Sequence, residues 1–300
     1  MVEVAERCSP TTERRYSIAR VCRIWKVPRS NVYFFSAREE ADRPPARRRG
    51  PTGPCSDDEL VERIRGVISD SPFHGEGYRK VWARLRHAGT RTSKDRVRRL
   101  MRDHGLQAPY FPTRRRGNRA HSGSITTDQP NEMWGTDATA VWTRNEGLVT
   151  VFLAVDHCTS ECIGLHAAKV GTRFEALEVV RQGVREQFGG FEQDAAAGLA
   201  MRHDHGSQFM SRDYQEELRF LGIRSSPAFV AEPECNGVAE RFVKTLKEQC
   251  LWLETFDTAE DVRQALMAFK RRYNHGWMVA KHGNRSPVEA RRALTLARAA

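Results

Sequence analysis

The nine-residue run from Leu148 to Asp156, LVTVFLAVD, most restricts the fold that this chain can adopt. It is rich in β-branched and aromatic residues, which favour a β-strand. Strand-like segments also lie just before and after it, at 132–139 and 161–169, and the short separations predict two hairpins. Three antiparallel strands followed by alternating helices and strands predict an α/β domain with a mixed five-stranded sheet. The alternating segments span residues 172–188, 199–204, 207–221 and 223–226.

Charge is distributed unevenly along the 300 residues. The formal net charge is +11, but residues 1–130 have an excess of 13 positive charges and residues 131–300 a net charge of −2. This asymmetry predicts that the amino-terminal part binds a polyanion. The seven cysteines form no CxxC pair, which favours free thiols and argues against a zinc site.

The amino-terminal part is predicted to be helical, with two basic linkers. Residues 1–42 contain a helix-turn-helix-like pair, and 43–56 form a linker rich in Pro, Gly and Arg. Residues 57–112 fit a three-helix DNA-binding domain whose last helix is strongly basic, followed by a second basic linker at 113–130. A basic helix that merely faces solvent is the alternative. The predicted DNA-binding residues here are Lys94, Arg96, Arg98, Arg99, Arg114, Arg115 and Arg116.

Three carboxylates are predicted to converge at the sheet. Asp137 lies in or at the end of the first strand, Asp204 ends the fourth, and Glu240 begins the helix that follows. Strand ends and helix starts are where α/β sheets present ligands, and three carboxylates together require cations between them. Oxygen donors suit Mg²⁺ or Mn²⁺, and two such ions can activate a water or a 3′ hydroxyl for phosphoryl transfer. Taken singly, an Asp at a strand end is more often a turn residue.

The residues around these acids carry a family resemblance. Asp137 lies in WGTDAT, Asp204 in RHDHGSQF and Glu240 in NGVAERFVKTLKE, with 35 residues between the last two acids. This pattern resembles the DDE core of retroviral integrases and bacterial insertion-sequence transposases. RYNHGWMVAKHGNRSP resembles the carboxy-terminal tail of second-reading-frame (OrfB) transposases. GYRKVWARL and SKDRVRRLMRDHGL resemble the helix-turn-helix segment that precedes the core in that family.

The resemblance implies an RNase H-like catalytic core at 131–256 with a helical extension at 257–300. It implies that Asp137, Asp204 and Glu240 bind two Mg²⁺ or Mn²⁺ ions, and that Lys244 and Lys247 contact the transposon-end DNA. The implied partners are double-stranded DNA at the element ends and at the target, other copies of the chain, and a first-frame product. Cys235 departs from the family pattern, which commonly has Asp before the residue matching Asn236.

Two other functions remain open from the residues alone: a catalytically inert DNA-binding regulator of transposition, and an RNA-cleaving ribonuclease H. The first thirty residues lack an apolar signal-peptide core and no stretch is apolar enough to cross a membrane, so we expect a cytoplasmic protein. Asp156 is expected to cap a turn rather than to act as a fourth acid. His203 and His205 are expected to lie opposite Asp204, and Trp134 to lie in the core rather than to stack on a DNA base.

Overall fold

The computed structural model describes residues 2–39, 55–109, 127–228 and 236–299. The chain divides into two compact units, Met1–Thr52 and Gly53–Ala300. Most of the predicted linkers lie outside the described residues, and so do Arg114, Arg115 and Arg116. The domain boundaries predicted from the sequence therefore stay predictions.

The first unit contains three helices, α1 (Val2–Glu6), α2 (Ile18–Ile24) and α3 (Arg29–Glu39). The two helices predicted between residues 12 and 42 are thus present as α2 and α3. Ser17 caps α2 by accepting a hydrogen bond from the Arg20 amide. Within this unit Val21, Cys22 and Val32 are buried.

The second unit begins with three helices, α4 (Asp57–Asp70), α5 (Tyr78–His87) and α6 (Lys94–Asp103). Ser56 forms a capping box with Glu59 at the start of α4, and Ser93 caps α6 as its position in the sequence predicts. The three helices share an apolar core because each presents Leu, Ile or Val at helical spacing. That core includes Leu60, Ile64, Val81, Leu85, Val97, Leu100 and Met101.

The five-stranded sheet has the predicted mixed topology, with strand order β3-β2-β1-β4-β5. β1 pairs with β2 and β2 with β3 in antiparallel fashion, whereas β4 pairs in parallel with both β1 and β5. The strands are β1 (Met133–Thr143), β2 (Gly147–Asp156), β3 (Cys162–Ala168), β4 (Ala200–His203) and β5 (Arg224–Pro227).

Helices cover both faces of the sheet, since alternate residues of β2 enter two separate cores. Phe152 and Ala154 pack with α7 (Arg173–Phe188) and with the pair α8 (Ser207–Met210) and α9 (Arg212–Phe220). Leu153 and Val155 pack with α10 (Gly237–Leu246) and α11 (Ala259–Gly276). A π-helical turn, Lys247–Leu251, ends α10; a 3-10 turn, Ala280–His282, and α12 (Pro287–Ala299) complete the described chain.

Gly164 allows α7 to lie directly on β3. A Cβ atom at this position would lie 2.4 Å from the Val179 carbonyl oxygen, which belongs to the helix backbone.

Within the described residues, no helix combines the length and the apolar character that crossing a membrane requires. Cysteines 8, 22, 55, 158, 162 and 250 all have free thiols.

Candidate active site

Asp137 lies in the middle of β1, on the face that packs against α10. Gly135, two residues earlier on that face, lies next to Asn236 at the start of α10. The Asp137 carboxylate is partly buried and accepts a hydrogen bond from the Ala138 amide at 2.8 Å. The side chain is therefore held close to the strand and directed toward the helix that carries Glu240.

Asp204 directly follows β4, which ends at His203. The parallel register pairs Arg202 with Gly135, so two residues further along each strand Asp204 reaches the level of Asp137. Asp204 is exposed, and its Oδ1 accepts a hydrogen bond from the Gly206 amide at 2.8 Å in a tight turn. The turn uses only one oxygen of the Asp204 carboxylate, and the side chain remains exposed.

Glu240 lies in the first turn of α10, where the helix dipole favours a negative charge. Ala239, Phe242 and Leu246 bury the opposite face of the helix in the core. Ahead of the helix, the Asn236 side-chain amide donates to the Thr136 carbonyl on β1 at 2.9 Å. The start of α10 is thus fixed to the strand that carries Asp137.

The three acids interact electrostatically. Burial raises the pKa of Asp137 to about 6, although the hydrogen bond from the Ala138 amide opposes the rise. The carboxylates of Asp204 and Glu240 raise the pKa further, and Lys247 lowers it. A carboxyl group whose pKa is raised by two neighbouring carboxylates marks a site that favours a bound cation.

The donor chemistry of this site fits a hard divalent ion, since all three side chains offer carboxylate oxygens. Among the described residues, however, no three His, Cys, Asp or Glu side chains lie close enough together to hold a metal ion. The acids are therefore near one another without adopting a metal-ligand arrangement. A metal-binding arrangement requires the carboxylate oxygens to be closer together than they are here.

A cluster of Gly135, His157 and Asn236, which the sequence did not predict, lies next to Asp137 at the start of α10. A Cβ atom at Gly135 would lie 2.7 Å from His157 Nε2 and 2.8 Å from Asn236 Oδ1, so only glycine fits there. Both ring nitrogens of His157 are buried, and the Asn236 side chain lies beside the ring. Burial lowers the pKa of His157 to about 4, against the opposing effect of Asp156, so the ring is neutral at pH 7. The glycine in WGTDAT was the available sequence signal.

The two lysines that follow Glu240 differ in their surroundings. Lys244 is exposed and lies 3.7 Å from Glu248 in an i,i+4 ion pair. Lys247 is half-buried at the end of α10, within electrostatic reach of Asp137. Lys244 and Lys247 follow Glu240 by four and seven residues, a spacing that puts all three on a similar face of a continuous helix, but α10 gives way to a π-helical turn at Lys247.

The basic residues of α6 divide into two groups. Arg96 and Arg99 both bind the Asp57 carboxylate, each at 2.7 Å, and hold α6 against the start of α4. Lys94 instead lies 4.4 Å from the centre of the Trp82 ring, and Arg98 lies 5.7 Å from that of Tyr78. In the part of the chain that the structure describes, neither Lys94 nor Arg98 forms an ion pair.

Asp156 caps a turn, as the sequence predicts: it is buried and its Oδ1 accepts hydrogen bonds from the Thr159 amide and hydroxyl. Trp134 is fully buried, as expected for a core residue. His203 is also buried and bonds to Ser225 Oγ at 2.9 Å. His205 was expected to lie opposite Asp204 because residues alternate along a strand. That alternation does not extend to His205, since β4 ends at His203 and His205 lies exposed beyond it.

Comparison with known protein families identifies two kinds of domain in this chain. The HTH-like domain family matches residues 56–116, and two integrase core domain families match residues 127–233 and 221–287. The two integrase core matches overlap at residues 221–233. Residues 127–287 therefore match integrase core domains, with an HTH-like domain ahead of them, and this core has the RNase H-like fold that the sequence predicted.

The resemblance to second-reading-frame transposases is likewise confirmed. Transposase InsD for insertion element IS2D of Escherichia coli (strain K12) is 27% identical over 285 residues, which cover 92% of this chain and 91% of that protein. The insertion element IS2A uncharacterized 48.2 kDa protein of Escherichia coli is 27% identical over 290 residues, 94% of this chain but only 66% of that longer protein. The catalytic core domain of BIV integrase is 18% identical, with a TM-score of 0.42 over 57% of this chain and 99% of its own.

Proposed function

We propose that this protein is a DNA transposase that cuts and joins DNA strands at the ends of an insertion sequence. The observation that carries the proposal is the placement of the three acids in an integrase core: Asp204 lies level with Asp137 across β4 and β1, and Glu240 begins the helix that Asn236 joins to β1. The similarity to InsD transposases along nearly the whole chain supports the same function. The reaction would be phosphoryl transfer, in which a water or a 3′ hydroxyl attacks a phosphodiester.

Asp137, Asp204 and Glu240 would hold the metal, which we propose to be two Mg²⁺ or Mn²⁺ ions. When bound, such ions lower the pKa of the attacking oxygen and stabilise the charge on the leaving oxygen. The chain itself positions the groups. Asn236 holds the start of α10 against β1, and the fixed helix carries Glu240 toward Asp137. Lys244, exposed on α10, and Lys247, half-buried just after it, would bind phosphates of the DNA end.

The raised pKa of Asp137 fits this role. A carboxyl group with a pKa of about 6 is partly protonated near neutral pH, so the three acids need not all be charged before DNA and metal arrive. Binding of a cation favours the charged form, which makes the completed site dependent on its substrate and its ions.

A test of this function uses double-stranded DNA that carries the element's own termini, end-labelled, with the full chain. We expect nicking at the element end in Mg²⁺ or Mn²⁺, and none in excess EDTA. DNA binding without nicking in any divalent ion would support the inert regulator instead. Preferential cleavage of the RNA strand of an RNA–DNA hybrid would support the ribonuclease H.

DNA recognition by α6 is proposed to depend on Lys94 and Arg98 rather than on Arg96 and Arg99. Replacing both Lys94 and Arg98 by Ala should weaken DNA binding and reduce the slope of log K against log salt concentration by about 2, because each phosphate contact contributes about 0.9. Fluorescence anisotropy over a salt series measures this slope.

The matched control for the salt series is Arg96→Ala. Arg96 is bound to Asp57, so its loss should lower the melting temperature of the protein more than it changes the salt slope. A full-sized salt effect in Arg96→Ala and none in the Lys94/Arg98 double variant would reverse the assignment.

The partners proposed for this chain follow from the same function. Double-stranded DNA at the element ends and at the target is the substrate, and we propose that several copies act together on DNA, with a first-frame product as a further partner. The curated relatives are bacterial, and we propose the bacterial cytoplasm, on chromosomal DNA, as the place of action.

A further inference from the structure

The three-helix domain contacts the catalytic core through a small joint between the α4–α5 loop and the end of α10. The Gln249 side chain is 7% exposed and makes two hydrogen bonds to the backbone of His74, 175 residues away. Its Oε1 accepts from the His74 amide and its Nε2 donates to the His74 carbonyl, both at 2.9 Å. A side-chain amide that satisfies both backbone groups of one residue fixes that residue in position and orientation.

An aromatic contact lies beside this pair of hydrogen bonds. Phe73 is 3% exposed, and its ring meets the Trp277 ring edge to face with the centroids 5.0 Å apart. Gly276 lies against the same ring, and a Cβ atom there would make a tight contact of 3.3 Å with Phe73. The Arg272 guanidinium lies 5.8 Å from the Phe73 centroid. The loop of one domain is thus inserted between side chains of the other.

Charged groups of α5 complete the joint. Arg84 binds Glu76 through two nitrogens and also donates to the Gly276 carbonyl at 3.3 Å. Lys80 lies over the face of the Trp277 ring. Arg84 therefore links α5 to the carboxyl end of α11.

The joint attaches to the segment that carries Glu240. Gln249 lies in the π-helical turn that ends α10, nine residues after Glu240. The Trp252 amide bonds to the Lys247 carbonyl across this turn, and Arg272 donates to the Gln249 carbonyl at 2.8 Å. Such π-helical turns recur at functional sites, and here the turn directs Gln249 at the other domain.

From these contacts we infer that the joint of Gln249, His74, Phe73 and Trp277 sets the distance along DNA between the sequence bound by the three-helix domain and the phosphodiester placed at the acids. The inference rests on the proposed function for the cutting step. Gln249 and Phe73 are then positioning residues that determine where the DNA is cut. A domain joined by a free linker would tolerate several spacings, whereas a docked domain allows one.

The test compares the wild-type chain with Gln249→Ala, Phe73→Ala and the double variant. Gln264→Ala is the matched control, because Gln264 is an exposed glutamine on α11. Hydrogen exchange of the peptide containing His74 should become roughly tenfold faster in Gln249→Ala, since its amide loses its acceptor. Peptides from the cores of α4, α5 and α6 should exchange as in the wild type, which shows that the domain itself remains folded.

Hydroxyl-radical footprints on element-end DNA then measure the spacing between the region protected by the three-helix domain and the region protected by the core. We expect one fixed spacing for the wild type and for Gln264→Ala, and a spread over several base pairs for the double variant. Where the wild type cuts DNA, the cut positions should spread in the same way. Footprints remain informative if no cutting occurs, so failure of the proposed function and failure of the joint are distinguishable.

Two results would overturn the inference. One is an unchanged exchange rate at His74 in the double variant, which would mean that these residues do not hold the joint. The other is a single footprint spacing, equal to that of the wild type, in a double variant in which hydrogen exchange shows that the joint has opened.

Discussion

Glu240→Gln is expected to abolish strand cleavage and strand transfer while leaving the affinity for DNA nearly unchanged. Glutamine keeps the size and polarity of the side chain but removes the charge that a bound divalent ion requires. Loss of residues that only support a metal ligand costs about 10- to 100-fold, so loss of a ligand should reduce the rate by at least about 100-fold. The rate of nicking of labelled element-end DNA in Mg²⁺ measures the first effect, and anisotropy of the same DNA measures the second.

Glu248→Gln is the control for this prediction. Glu248 lies two turns further along, is half-buried, and pairs with Lys244 rather than with the other acids. Its substitution should leave the cleavage rate within about threefold of wild type, because exposed i,i+4 pairs contribute well under 1 kcal/mol. Full cleavage activity in Glu240→Gln would show that Asp137, Asp204 and Glu240 do not form the catalytic set.

The sequence contained enough information to predict the sheet and the approximate positions of the acids. Strand β2 is apolar on both faces, since Leu153 and Phe152 enter different cores, and this continuous apolar run distinguishes a buried central strand. In the structure Asp137 and Asp204 reach the same level because β1 and β4 are parallel neighbours, although Asp137 lies in the middle of its strand and Asp204 just beyond the end of its own. Local patterns predicted the strands, whereas the three acids together with their flanking residues were needed to predict the site.

Features that depend on distant partners could not be predicted in the same way. In the sequence of α6, Arg96 and Lys94 are both basic residues of the predicted DNA-binding helix. In the structure, however, Arg96 binds Asp57, which lies 39 residues earlier. The close approach of His157 and Asn236 over Gly135 depends on three segments that only the folded chain brings together. In the sequence, Gln249 continues the helical pattern of α10. Its contact with His74 depends on where the three-helix domain docks. In each case a side chain's role is set by tertiary contact rather than by its neighbours in sequence.

Trp134→Ala is the second substitution from which we expect a large effect, and its effect is on stability. Trp134 has no exposed surface, packs against Gly183 of α7 and Phe188, and donates from its indole nitrogen to Asn131 at 3.1 Å. Removing a fully buried tryptophan leaves a large cavity and should lower the free energy of unfolding by about 3–5 kcal/mol, although Asn131 Oδ1 still accepts a hydrogen bond from Arg291. Urea unfolding followed by far-ultraviolet circular dichroism measures the change.

The same strand provides the control that separates packing from DNA contact at Trp134. Trp142 lies eight residues further along β1 and is 69% exposed, so Trp142→Ala should change the free energy of unfolding by only about 0.5 kcal/mol. Stacking on a displaced DNA base would require Trp134 to be accessible, and burial beneath α7 prevents this. If Trp134→Ala instead unfolded at the wild-type urea concentration and bound element-end DNA more weakly, base stacking would be its role and the core assignment would be wrong.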